Sequence, residues 1–419
     1  MKTPMSNLLF LVHRLPFPPN KGDKVRSYHL LKHLTARHRV FLGTFVDDPQ
    51  DEAYVQDVRD MCPDLHVVRL HPRLAKLRSL TGLFTQQALS LRYYQNADMQ
   101  RWVTQMLAEN TIDAIVIFSS VMAQYVEPLP GQSSSNQPPL LVDFVDVDSV
   151  KWLQYAHTHR WPLSWLYRRE GERLKAFERH VAARATKSFF VTENEAALFQ
   201  ELAPESAQTV EAMSNGVDTD YFAPDPARVS PFAAIAQAGG QAPLVFTGAM
   251  DYWPNMDAVT WFVRDIFPRL LKSRPQLCFY IVGRNPPPSI LALASASVVV
   301  TGTVVDVRPY LQYASVVVAP LRVARGLQNK ILEAMAMARP VVASQSCAYS
   351  INAGRSELVS ASGVTGFVRE IEALLNVPAR AAAVGQAARQ RVLERYSWTA
   401  HLGRIDRYLV APSTEQEHG

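Results

Sequence analysis

Short apolar runs alternate along the chain with longer stretches in which apolar residues return every three or four positions. The runs at Asn7–Val12, Val40–Phe45, Leu65–Val68, Ala114–Phe118 and Ser188–Val191, with LLVDFV from Leu140, have the length and β-branched or aromatic content of buried parallel strands. Helical spacing fills the gaps, with helices expected from near Asp23 and near Asp98–Glu109, and Ser188–Val191 is expected to be the last strand of this half. A turn at Asn215-Gly216, stiffened by Pro224 and Pro226, then interrupts the pattern. Alternation resumes with strands at Leu244–Thr247, Leu277–Val282, Val298–Thr301, Val316–Ala319 and Val341–Ala343, and helices from Met256, near Val307–Tyr313 and from Gln328. Two successive runs of strand and helix predict an α/β protein of two doubly wound, Rossmann-like domains with a cleft between them.

The stretch RGLQNKILEAMAMARPVVA, Arg325–Ala343, concentrates the chemistry of the second half. Gly326 supplies a turn, and Ile331, Ala334, Met335 and Ala338 form an apolar helix face that Pro340 is expected to end. Lys330 and Glu333 share another face near the helix start. A helix N-terminus offers unpaired N–H groups to a phosphate, a lysine adds a mobile charge, and a carboxylate one turn on can accept from sugar hydroxyls. An ordinary surface ion pair fits the same two residues, and both readings stay open at this level. Strand ends place Gly248, Gly283-Arg284, Gly302-Thr303 and Arg322–Arg325 toward one crevice.

In the first half, a proline-rich loop with Gly22 leads from the first strand into a helix carrying Arg26 in its first turn, an arrangement that suits an anion. Neither G-x-G-x-x-G nor G-x-x-x-x-G-K-[ST] is present, which argues against a nicotinamide-dependent enzyme and a Walker-type nucleotide site. Asp143, Asp146 and Asp148 are expected at the C-terminal end of the LLVDFVDVDS strand, where ligands approach such sheets. Asp146 and Asp148 also make a short D-x-D match to metal-dependent sugar transferases, but the repeated strand–helix organisation gives metal binding little weight. The segment from Arg69 to Arg92 carries Arg73, Lys76 and Arg78 among Leu70, Leu74, Leu77 and Leu80, with no acidic residue. It reads either as a solvated helix face with core leucines or as a segment lying on an anionic bilayer. A second basic, aromatic stretch holds Trp161, Trp165, Tyr167, Arg168 and Arg169, with Glu170, Glu172 and Glu178 available for local pairing on an amphipathic helix.

Composition narrows the classes. A chain of 419 residues, 48% hydrophobic and 19% charged, is long enough for two ordinary globular cores. A net charge of +5 and a pI near 9.0 favour anionic partners such as phosphorylated substrates, nucleic acid or a membrane surface. Cys62, Cys278 and Cys347 suggest neither a disulfide framework nor a zinc site, which fits a reducing, cytoplasmic setting. The apolar run near the start is too short for a signal peptide or a membrane helix, so any membrane contact is expected to be peripheral.

SNGVDTDYFAP followed by NKILEAMAMARPVVAS resembles the retaining family-four glycosyltransferases of GT-B fold over essentially the whole chain. FLVHRLPFPPNKGDKVRSYHLL, LVDFVDVDSVKW and FTGAMDYWPNMDAV resemble more narrowly the sugar transferases associated with PEP-CTERM/exosortase exopolysaccharide systems. The resemblance implies an acceptor-binding domain over 1–213, a nucleotide-sugar-binding domain over 214–395, and a last helix over 396–419 that returns to the first domain before a polar tail. It further implies that Lys330 binds the donor diphosphate and Glu333 the ribose hydroxyls. Val304 and Val305, after Gly302, would lie near the base, and Gly22, Gly248, Gly326 and Leu327 near the donor. Front-face transfer with retention, in which the leaving phosphate helps deprotonate the acceptor, requires no metal or other cofactor. The implied partners are a nucleotide sugar and a glycan or polyprenyl-linked acceptor, with an anionic membrane surface and no nucleic acid.

The chain departs from the family pattern at three points. Arg325 stands where the first of two glutamates is usual, and is expected to face the diphosphate or an acidic donor sugar. Gly248 is followed by Ala249-Met250-Asp251 rather than by basic residues, which leaves Arg284 to supply that charge. Asp146 stands near the place of the usual acceptor-domain histidine, either to accept a hydroxyl proton or to cap the next helix. Arg325 also keeps open a non-catalytic nucleotide-sugar-binding subunit.

Overall fold

The computed structural model describes residues 6–19, 22–127, 138–233, 235, 243–322 and 327–409. The chain divides into two compact units, one running to Asn215 and including the residues from His401 onward, the other Gly216–Ala400. The first holds strands β1 Asn7–Val12, β2 Arg39–Val46, β3 Leu65–Arg69, β4 Ala114–Phe118, β5 Leu140–Val145, β6 Lys187–Phe190 and β7 Val210–Ala212, in the order β3-β2-β1-β4-β5-β6-β7. The second holds β8 Leu244–Thr247, β9 Phe279–Val282, β10 Val298–Gly302, β11 Val316–Ala319, β12 Val341–Ser344 and β13 Val359–Ala361, in the order β10-β9-β8-β11-β12-β13. Every pairing is parallel: Leu9 sits between Phe41 and Ile115, and Val245 between Tyr280 and Val317.

Central strands with helices on both faces bury successive residues, which is why β1 and β4 read as unbroken apolar runs. Fully buried side chains such as Phe10, Phe118, Phe246 and Phe279 each contribute about 1.5–3 kcal/mol. Two strands escape the sequence pattern. Val210–Ala212 pairs with β6, so the strand at Lys187–Phe190 is not the last of its half, and Val359–Ala361 pairs with β12. Three residues carry too little periodicity to announce a strand. The helix expected to run to Pro340 spans only Asn329–Ala336. Ala338 takes φ +54°, ending it early, and the backbone of the Pro378–Arg395 helix packs on this turn at Gly385, where a Cβ would fall 2.2 Å from the Ala338 carbonyl oxygen.

Residues after His401 are fastened within the first unit. Asp406 lies 2.7 Å from His33 Nε2 on the Gly22–Thr35 helix, Arg404 donates to the Ala212 carbonyl at 2.9 Å, and the Tyr408 hydroxyl meets Glu211 at 2.9 Å.

The acidic residues expected to pair locally on the Leu163–Arg184 helix instead hold distant segments. Glu170 accepts the amides of Leu89 and Ser90 at 2.6 and 2.9 Å. Glu178, 1% exposed, accepts the Ser149 amide at 3.2 Å and its hydroxyl at 2.5 Å. Burial pushes the Glu178 carboxyl up to about 8 from an ordinary 4.5. A folded-state value above the unfolded one means that the folded chain binds the extra proton, so this group's contribution to stability declines as pH rises from about 4.5 to about 8. Glu178→Gln cannot ionise and is expected to flatten that decline, gaining on the order of 2 kcal/mol over the parent at pH 8 relative to pH 5. Urea midpoints of both proteins at the two pH values check this; parallel pH curves would contradict it.

Candidate functional site

In the second sheet, β8 lies between β9 and β11, so the chain leaves β8 and β11 toward opposite edges and opens a crevice beyond their carboxyl ends. Gly248 follows β8 directly. A Cβ there would fall 2.8 Å from Asn255 Nδ2 and 3.1 Å from Lys330 Nζ, while one at Gly283, after β9, would fall 1.7 Å from the Gly248 oxygen. The two glycines therefore let adjacent strand ends and a lysine head crowd together. The Lys330 ammonium donates to Asn255 Oδ1 and stands 4.8 Å above the Phe246 ring. Asn255, 3% exposed, ties this group to the loop after β8 by donating to the Ala249 carbonyl at 2.8 Å.

Lys330 and Glu333 are not a surface ion pair: among the described residues no salt bridge within 4.0 Å joins them, and both are desolvated. Burial lowers the Lys330 ammonium to about 8, against the weaker pull of the Cys347 thiol and the Glu333 carboxylate. Burial raises the Glu333 carboxyl to about 7, with Lys330 opposing it. A cation held in low dielectric by a neutral amide gains most from an incoming anion. A carboxyl poised near neutrality beside it can accept from, or donate to, a hydroxyl. The first amides of the Asn329–Ala336 helix add to this, because no side chain caps its N-terminus at Gln328.

The other sequence-derived candidates fall into distinct settings. Gly302 ends β10 at φ +70° with open space on its Cβ side. Val304 packs against the core, whereas Val305 is wholly exposed. Leu327 is half-buried on the same core. Arg284 is exposed; its carbonyl accepts the Met250 amide at 2.8 Å, and Asn285 bonds Asp251 at 3.0 Å, joining the loops after β8 and β9. Arg322 is committed elsewhere, donating to Asp257 at 2.9 Å and stacking 5.6 Å over Trp261. Arg325 and Gly326 lie outside the described residues.

In the first unit, Gly22 opens the Gly22–Thr35 helix. Arg26 is not available to an anion and Asp143 is not at a ligand-facing strand end. Both are buried, with Arg26 Nε donating to Asp143 Oδ2 at 2.7 Å, Nη2 to Oδ1 at 3.1 Å, and Nη1 to Asn215 at 2.9 Å. Lys151 bridges Asp146 at 2.7 Å and Asp148 at 3.1 Å. Asp146 caps nothing: the amides at the start of the Asp148–Thr158 helix go to Glu195, from Val147, and to Glu178, from Ser149. Among the described residues no group of three metal-ligating side chains converges.

The switch point of the first sheet, between β1 and β4, brings together residues that sequence reading passed over. The His13 ring stacks on Phe118 at 5.9 Å and meets the edge of Tyr94 at 5.7 Å, and its Nε2 lies 3.7 Å from Asp23. Hydrogen bonding from His13, with Arg14 nearby, holds the Asp23 carboxyl well below the usual range. The only local signal was polar HR directly after an apolar strand. A separate cavity of about 690 Å³ in this unit is lined by amides, including Gln86, Gln95 and Gln124, and by Arg78 and Arg173.

Residues 241–377 match the family model described as glycosyl transferases group 1. No curated protein matches the chain in sequence. Among solved structures it is similar to Anabaena HepE in complex with UDP and glucose, at 14% identity and TM-score 0.59, covering 96% of this chain and 99% of that one. A glycosyltransferase from Rickettsia africae matches at 13% identity and TM-score 0.59, over 97% and 98% of the two chains. Sucrose-phosphate synthase from Thermosynechococcus elongatus matches at 16% identity and TM-score 0.57, over 96% and 98%. These likenesses establish a GT-B α/β fold.

Proposed function

We propose that the chain is a retaining glycosyltransferase that moves a sugar from a nucleotide-diphosphate sugar to a glycan or lipid-linked acceptor, in exopolysaccharide synthesis at the cytoplasmic membrane face. The observation that carries this reading is the desolvated Lys330 ammonium beside Asn255, Gly248 and Gly283, at the switch point of the unit that matches a glycosyl transferase model. That HepE has been solved with UDP and with UDP-glucose supports a nucleotide-sugar donor.

In this reading Lys330 and the first amides of its helix neutralise the diphosphate, and Glu333 bonds the ribose hydroxyls. Gly302, Val304 and Val305 flank the base, Leu327 lines the donor site, and Arg284 adds charge at its edge. Arg325, with Gly326, faces the diphosphate or an acidic donor sugar. The bond from the anomeric carbon to phosphate breaks as the bond to the acceptor oxygen forms on the same face. The acceptor proton passes to the departing phosphate oxygen. Catalysis then comes from positioning and charge neutralisation, and needs no metal or cofactor.

Nucleoside diphosphate affinity is expected to fall as pH rises through about 8, because Lys330 loses its proton there. Calorimetric titration with UDP, GDP and ADP from about pH 6.5 to 9.5 should show roughly tenfold weaker binding one pH unit above that value. No binding of any of the three would sink the reading. The second reading, a non-catalytic nucleotide-sugar-binding subunit, rests on Arg325 in place of the expected glutamate. Binding of a nucleotide sugar without release of free nucleotide in the presence of any acceptor would favour it.

A further inference from the structure

We propose that residues 72–84 and the first turns of the Leu163–Arg184 helix form one docking face for an anionic lipid surface. The leucines of the first segment are not core residues. Leu74 is 65% exposed, Leu77 67% and Phe84 93%, and their spacing of three and seven, with Leu80 between, keeps them along one side of the Pro72–Ser79 helix and the turn that follows. Trp161 at 80% and Trp165 at 54% are equally uncovered on the second segment.

Tertiary bonds fuse the two stretches. Arg169 donates to the carbonyls of Gly82, Thr85 and Gln87, and Glu170 accepts the amides of Leu89 and Ser90. The only nearby carboxylate, that of Glu170, is thereby buried and used.

The charge pattern selects the occupant. No aspartate or glutamate occurs from Leu65 to Ala97 or from Ser149 to Arg169, while Arg73, Lys76, Arg160 and Arg168 stand among the exposed apolar groups. Tryptophan and phenylalanine interleaved with cations match the interface of a bilayer, where rings enter the headgroup region and ammonium and guanidinium groups meet phosphates. A second copy of the chain would oppose one basic face with another. Among the described residues no helix is long and apolar enough to cross a membrane, so contact through this face is interfacial. The surface suits a lipid-linked acceptor, but its lipid binding does not depend on the donor chemistry.

Co-sedimentation of the full chain with vesicles of phosphatidylcholine, alone or with about 30% phosphatidylglycerol, tests the assignment at about 0.05 and 0.5 M salt. Partition onto the anionic vesicles at low salt is expected to exceed that onto neutral ones about tenfold, and to collapse at high salt. The triple variant Phe84→Ser/Trp161→Ser/Trp165→Ser, and separately Arg73→Glu/Lys76→Glu, are each expected to lose about tenfold in partition. Both should keep the parent melting temperature and nucleoside diphosphate affinity, which separates this result from that of the donor site. No partition of the parent at low salt, or equal partition of both variants, would overturn the assignment. So would a parent that elutes as a dimer and a triple variant that elutes as a monomer, since the face would then join two copies.

Discussion

Lys330→Ala is expected to weaken nucleoside diphosphate binding about 100-fold while leaving the fold intact. A charge-assisted bond to phosphate is worth about 1.5–3 kcal/mol, and the low dielectric around this ammonium places the effect at the upper end. Stability should hardly suffer. The folded-state value, lowered from 10.5 to about 8, means that the unfolded chain binds the proton more tightly. Protonated Lys330 therefore opposes folding at neutral pH, and stability linked to this group rises with pH between about 8 and 10.5. Alanine removes that opposition, offset by the bond lost to Asn255. Lys330→Arg should rescue little, because Gly248 and Asn255 crowd the space around Nζ. Titration calorimetry paired with thermal melts gives both readouts. Unchanged affinity in the alanine variant would remove Lys330 from the donor site.

Asp143→Ala is expected to be the most destabilising single change, at about 3–5 kcal/mol, since it strands a buried guanidinium with Asn215 as its remaining partner. The pair itself is no large asset. Burial raises the Asp143 carboxyl above its usual range, and Arg26 only partly opposes this, so the ionised form is costly inside. Replacing both residues with apolar ones, Arg26→Met/Asp143→Leu, should accordingly recover most of the loss. Urea unfolding of the single and double variants tests this. A loss below about 1 kcal/mol for Asp143→Ala, or a double variant no better than the single, would contradict it.

The donor-site glycines and Lys330 were legible because their roles are written into local pattern: a glycine at a strand end, and a lysine in the first turn of a strongly amphipathic helix. Asn255 and Gly283 were not. A neutral amide near a helix start has many uses, and Gly283 matters only because the Gly248 carbonyl stands where its Cβ would be. Arg26 and Asp143 were misassigned for a related reason. They are 117 positions apart, and each by itself looks like a ligand-facing charge. Arg322 likewise reads as a crevice residue until Asp257 and Trp261 are placed beside it. Leu74 and Leu77 show the reverse error, since helical leucines suggest a core that, at this point, does not cover them.

By itself the sequence determined the class of architecture, the position of most strands and the helix that carries Lys330. Periodicity of two or three to four residues reports how one element meets its surroundings, and that information is local. Tertiary structure alone decided which charges are spent on one another, which stand desolvated without a carboxylate, and which apolar groups stay uncovered. Those properties depend on the distance and dielectric between residues far apart in the chain, and no single element carries them.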